Sequence, residues 1–147
     1  MKIIFNSLKF PTVYVDFTND NDNNNEYYNK FISYWEEQYI KKRHFHYVMN
    51  LQELSLPNMG LMIDFVKRQN KLRLSKIQYL DYSIVIINNS FISFILEKLW
   101  KICPPLNTIY IVSQICIAEQ LLNHINNPFF NKDCLSLFIK CNNITIV

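Results

Sequence analysis

The sequence predicts one α/β domain built on a mixed, mostly parallel sheet with four flanking helices. Three observations point there. Short β-rich apolar runs alternate with longer segments of helical periodicity, some of those runs are apolar at nearly every position, and 147 residues suffice for a single hydrophobic core. Half of the residues are hydrophobic and 18% are charged, which excludes general disorder.

Ile3-Ile4-Phe5 and Thr12-Val13-Tyr14-Val15-Asp16-Phe17 read as two strands, with Pro11 in the turn between them. The polar tract from Asn19 to Asn25 cannot bury anything and reads as a surface loop whose end caps a helix. From Glu26 to about Lys42, Tyr28, Phe31, Ile32, Trp35 and Tyr39 recur at helical spacing, and Lys41-Lys42-Arg43 suits a helix C-terminus.

The alternation then repeats. Phe45 to Leu51 is an expected strand, and Asn58 to about Arg73 a helix with Leu61, Met62, Phe65, Val66 and Leu72 on one stripe. Ser83 to Ile87 is continuously apolar after its first residue, as a strand buried on both faces must be. Ser90 or Asn89 caps a helix carrying Ile92, Ile95, Leu96, Leu99 and Cys103, and Pro104-Pro105 stops it. Thr108 to Val112 is the next strand. Ser113 is the expected cap of a helix bearing Ala118, Leu121, Leu122 and Ile125.

The order is therefore β-β-α-β-α-β-α-β-α, with Tyr47–Leu51, Ile84–Ile87 and Ile109–Val112 as the central strands. Residues 128–147 read as a C-terminal extension packing on the same domain. A short helix from Asp133 to Cys141, stopped by Asn142-Asn143, is favoured there over a terminal hairpin.

Composition excludes several function classes. Gly60 is the only glycine, so no Gly-rich phosphate loop exists. A net charge of +3 is mild, and no nucleic-acid partner is expected from it. No run of apolar residues is long enough for a membrane span and no signal-peptide pattern opens the sequence, so a cytoplasmic protein is expected. The four cysteines, Cys103, Cys116, Cys134 and Cys141, match no zinc spacing and read as buried free thiols. Abundant Asn, Ile and Lys point to an AT-rich genome, as in large DNA viruses or certain protists, and for a virus the host cytoplasm is the expected location.

One local unit carries a resemblance. The stretch Tyr47-Val48-Met49-Asn50-Leu51-Gln52-Glu53-Leu54-Ser55-Leu56-Pro57-Asn58-Met59-Gly60-Leu61 resembles the strand-loop-helix signature of the STAS domain, the fold of anti-sigma-factor antagonists and sulfate-transporter tails. The family pattern is an apolar strand ending in Asp-Leu, then Asp-Ser-Ser-Gly-Leu opening a helix. Asn50 falls on the strand-end Asp and Pro57-Asn58-Met59-Gly60-Leu61 on the pentapeptide. The element order extends the likeness over residues 1–127. In the antagonists the second Ser is phosphorylated by the partner kinase, which switches binding off. Met59 holds that position here, so the resemblance implies the shape without the switch.

A Gly in a helix's first turn costs about 1 kcal/mol relative to Ala. Its retention at Gly60 reads as a close backbone approach, either by a neighbouring strand or by a docked partner. The expected contact surface is therefore Ser55, Asn58, Met59 and Gly60, at the end of a sheet where helices begin. The densest charge feature, Lys67, Arg68, Lys71, Arg73 and Lys76, reads as a solvated helix end, with electrostatic contact to an acidic partner or surface as its rival.

Other chemistry is sparse. His44 and His46 flank Phe45 and read as a solvated strand edge in preference to a metal site. His124 suits the end of a helix, and Asp16, Asp64 and Asp81 have no adjacent base or nucleophile. Tyr27, Tyr28, Tyr34, Trp35 and Tyr39 crowd one helix beyond the needs of a core stripe, leaving room for an exposed patch and a homodimer surface. The function expected is a non-enzymatic, cofactor-free interaction module with an unknown protein partner. A lipid carrier resembling Sec14-type domains is the alternative, and a flavodoxin-like enzyme a third reading.

Overall fold

The computed structural model describes residues 2–19, 26–54, 60, 63–64, 67–68, 71, 74, 76–129 and 131–147. Strands β1 (Lys2–Asn6) and β2 (Thr12–Thr18) pair antiparallel across a turn with a cis Phe10–Pro11 bond. Helix α1 (Glu26–Ile40) buries Tyr28, Phe31, Ile32 and Trp35, the i, i+3, i+4, i+7 stripe of an amphipathic helix. It ends where Lys42 takes φ 53° and the Arg43 N–H closes back on the Gln38 carbonyl at 3.1 Å. The Arg43 guanidinium also donates to the buried Gln38 Oε1 at 2.9 Å.

Strand β3 (Phe45–Asn50) is followed by helical residues at 60, 63–64, 67–68 and 71, then by β4 (Leu80–Ile86). The apolar stripe expected on that segment, Leu61, Met62, Phe65, Val66 and Leu72, lies outside the described residues. Helix α2 (Ser90–Ile102) is capped by Asn89, whose Oδ1 accepts from the Phe91 and Ile92 N–H groups at 3.0 and 3.2 Å. Strand β5 (Thr108–Val112) leads to helix α3 (Ile115–Asn126). Its N-cap is Gln114, with no side-chain capping bond, so the cap expected at Ser113 is not used. Helix α4 (Lys132–Cys141) and strand β6 (Thr145–Ile146) close the chain, with Asn143 left-handed at φ 51° between them.

The strands lie in the order β1-β2-β3-β4-β5-β6. Strands β2 to β5 are mutually parallel, and both edge strands run antiparallel to their neighbours. Each parallel step moves one strand further in the same direction. Right-handed crossovers then put every connecting helix on one face. The packing agrees: α1 and α2 bury Phe31, Trp35, Leu96 and Trp100 with Val13, Val15, Tyr47, Met49, Val85 and Ile111.

Among the described residues, the helices on the opposite face come from the chain beyond β5. There α3 buries Ala118, Leu121 and Leu122 against Val48, Ile84, Ile86 and Val112, with Ile144 behind and α4 partly covering the cluster. Among the described elements, α3 packs on β4 and β5. On the β1–β2 half of this face Tyr14 packs against that cluster, while Ile4 is 48% exposed.

Two sequence expectations fail here. The α1 aromatics form no exposed patch: Tyr28 and Trp35 are buried, and Tyr27, Tyr34 and Tyr39 pack half-buried against the same core. The crossover brings this helix down on three strands, so its core stripe is wider than helical periodicity alone requires. The cysteines are free but not buried. Cys116, Cys134 and Cys141 are exposed, because α3 and α4 turn those positions away from the single cluster they cover, and Cys103, at the end of α2, is half-buried against the other cluster.

Candidate functional site

The surface expected from the sequence is only partly in view. Ser55, Asn58, Met59 and Arg73 lie outside the described residues. Gly60 is helical and exposed, its φ is not positive, and a Cβ built on it would meet nothing within 4 Å. No close approach by a described strand explains it, which corrects that part of the expectation.

Lys67, Lys71 and Lys76 are exposed. Arg68 is engaged differently: its Nε donates to Asp64 Oδ2 at 3.0 Å, and its guanidinium lies over the Tyr28 ring at 5.6 Å. The Tyr28 hydroxyl donates to the same Asp64 oxygen at 2.8 Å, tying this helical segment to α1. That hydroxyl and Arg68 hold the Asp64 carboxyl below its usual range. Burial, then the neighbouring carboxylate, pushes the Tyr28 phenol up.

A groove opens at the carboxyl ends of β2 and β3, on the face that α3 half covers. Its volume is about 190 Å³, and Tyr14, Val48, Ile86, Ile115 and Ala118 give it an apolar floor. Asp16, Asn50 and Glu119 supply the polar rim. An adjoining hollow extends it past Asn6, Leu8 and Lys9, with Tyr14, Asp16 and Glu119 common to both. Lys9 Nζ sits over the Tyr14 ring at 5.7 Å.

Asn50 organises this end of the sheet. Its Nδ2 donates to Asp16 Oδ1 at 3.0 Å, and its Oδ1 accepts the Gln52 N–H at 3.2 Å, turning the chain out of β3. Glu53 Oε2 then accepts the Asn19 N–H at 3.2 Å, beyond the end of β2. The position that the sequence aligned with a strand-end Asp therefore carries a structural bond in both directions. Asp16, which had no visible partner in the sequence, is that bond's acceptor. Nothing in the sequence brings Asp16, Asn50 and Glu119 together except that the first two end adjacent strands.

His46 is not solvated, because β3 is an interior strand, whereas His44 lies before that strand and is exposed. His46 is buried, its Nε2 lies 2.6 Å from Thr12 Oγ1, and its ring stacks on Tyr82 at 4.5 Å and 11°. Burial lowers its pKa, against a smaller raising effect of Asp81. His44 is exposed, with Nδ1 2.7 Å from Asp81 Oδ1. Tyr79 is buried and Tyr82 carries the imidazole, so neither offers a free ring face for a base. His124 meets the edge of Phe138 on α4 at 4.4 Å. Among the described residues no group of three His, Cys, Asp or Glu side chains could hold a metal ion. No described helix is long and apolar enough to cross a membrane.

Comparison with protein-family models, with curated proteins and with solved structures finds no match to this chain.

Proposed function

We propose that the protein is a non-enzymatic interaction module of STAS-like build, which binds a partner protein at the carboxyl ends of β2 and β3. The observation that carries this reading is the half-covered sheet face. Helix α3 shields β4 and β5, and an apolar-floored, polar-rimmed groove remains beside Ile4, Leu8 and Ile115, which are all solvent-exposed. Exposed apolar surface bounded by hydrogen-bonding groups is what a docking patch needs. The turn from Asn50 to Leu54 leads straight into Ser55, so the contact residues expected from the sequence, Ser55, Asn58, Met59 and Gly60, come directly after the same strand end. With Met at position 59, binding at this surface is not switched by phosphate there. The exposed lysines at 67, 71 and 76 are assigned to a solvated helix end.

The carrier alternative has less support. The groove of about 190 Å³ opens into a hollow of about 360 Å³, but Lys9, Asp16 and Glu119 line that extension and do not suit an acyl chain. A wider trough of about 850 Å³ beside α1 is walled by Glu26, Lys30 and Glu37, which do not suit an acyl chain.

The test is affinity capture from the native cell, with the wild-type chain beside Ile115→Lys/Glu119→Lys and Lys67→Ala/Lys71→Ala variants. The groove variant loses the captured protein and keeps its circular dichroism, while the lysine variant retains it. The reverse pattern moves the contact surface to the basic helix end. Stoichiometric lipid in an organic extract of the purified protein makes it a carrier instead.

A further inference from the structure

We propose that the chain also self-associates through the outer edge of β1. That strand pairs antiparallel with β1 of a second copy about a two-fold axis, joining two six-stranded sheets into one. The observation is an asymmetry between the two sheet edges. At one end lies β6, two residues long; at the other lies β1, five residues long and in regular register with β2 throughout. Alternate residues of an antiparallel strand aim their N–H and C=O groups away from the neighbour they pair with, and no described strand pairs with the outer side of β1.

The usual protections of such an edge are missing from its centre. Ile3, Ile4 and Phe5 contain no charge and no proline, the pairing shows no bulge, and Ile4 is half exposed. Lys2 and Asn6 stand only at the ends. Antiparallel self-pairing satisfies both copies at once and leaves no new edge of this kind. The remaining edge, β6, is too short to continue the sheet, so the assembly closes as a dimer.

Helix α1 fits the same occupant. A two-fold axis perpendicular to the sheet sets α1 and its symmetry copy on the same side of the junction, running antiparallel. The trough between β1 and α1, lined by Phe5, Tyr34 and the stripe Glu26, Lys30, Ser33, Glu37, is the space they share. The acids of that stripe are neutralised within the helix, Glu26 by Lys30 and Glu37 by Lys41, so two copies can approach there without unpaired like charges. The Phe5 and Tyr34 rings, 5.0 Å apart, form an apolar floor beneath.

Sedimentation velocity over a concentration series of the full chain tests this, together with amide hydrogen exchange on β1. The wild type sediments as a dimer that dissociates on dilution, and alternate β1 amides lose protection with it. Ile4→Lys, at an exposed position, sediments as a monomer with an unchanged circular dichroism spectrum. Lys30→Glu leaves the stripe with acids alone and weakens the dimer several-fold, more at low salt than at high, which keeps the test open should Ile4→Lys fail to fold. A wild type monomeric at every concentration overturns the proposal. So does a dimer that survives Ile4→Lys, a dimer whose β1 amides ignore concentration, or an open-ended polymer.

Discussion

Asn50 and Asp16, the groove-side residues at the ends of two adjacent parallel strands, share one hydrogen bond of 3.0 Å in which the amide donates and the carboxylate accepts. The geometry explains why an amide suits this position. A carboxylate at residue 50 would keep the acceptor for the Gln52 N–H but face Asp16 with a like charge and no donor. Asn50→Asp is therefore expected to cost about 0.5–1 kcal/mol, the low end for a hydrogen bond because this one is exposed to solvent. The repulsive part of the loss should shrink at high salt, which screens two carboxylates near the surface. Urea unfolding of both proteins at low and high salt measures it, and a salt-independent difference would assign the cost to the lost bond.

The Thr12–His46 pair gives the fold a pH dependence of known sign. Burial depresses the imidazole pKa in the folded state, so the unfolded chain takes up the proton first as pH falls below about 6.5. The stabilisation from neutral His46 is complete above that value and declines as pH drops towards the lowered folded pKa. The groups facing it are Thr12, Tyr82 and, further off, Asp81. His46→Gln should flatten the stability profile between pH 7 and 5. Equal slopes for the two proteins would place the titration elsewhere.

Tyr47 is fully buried among Phe31, Trp35 and Phe45, and its hydroxyl has no hydrogen-bond partner among the described residues. An unpaired buried hydroxyl carries its desolvation cost with no return. Tyr47→Phe is expected to stabilise the fold by about 1 kcal/mol. Thermal unfolding checks this, and a lower midpoint would reveal a partner for the hydroxyl.

The bond from Tyr28 to Asp64 is the counter-example, because here the hydroxyl works. Tyr28→Phe should cost about 1 kcal/mol at pH 7. The Asp64 carboxyl sits below its usual range, so this contribution is present above the unfolded carboxylate pKa and disappears as pH falls through the folded one. Asp64 and Arg68 are both substantially exposed, and high salt should reduce the effect. Stability of the two proteins followed from pH 7 downwards tests it. A difference that does not change with pH would show that the hydroxyl's contribution does not depend on the Asp64 carboxylate.

What is local was legible in the residues. Strand β5 begins and ends where its apolar run does, and Asn89 caps α2 because Asn is built to accept from the next N–H groups. The helix favoured at the C-terminus from Asp133 to Cys141 is α4, stopped where Asn143 turns left-handed, and its Leu135, Phe138 and Ile139 pack on the α3 cluster. The continuous apolar run after Ser83 announced a strand covered on both faces, and β4 is that strand.

Which face each helix covers was not legible, since it depends on strand order and crossover hand, properties of the whole chain. That order makes β3 interior and so buries His46, which looked solvated beside its exposed neighbour His44. It sends α1 across the sheet and hides Tyr28 and Trp35, and it leaves α3 and α4 too few to cover the opposite face. The groove arises from that shortage: Asp16, Asn50 and Glu119 come from three separate elements, and only the stacking of strands side by side makes them neighbours. Period, propensity and capping act within a few residues of chain, and they determined the elements; sheet order acts across all of it, and it alone decided where the open surface lies.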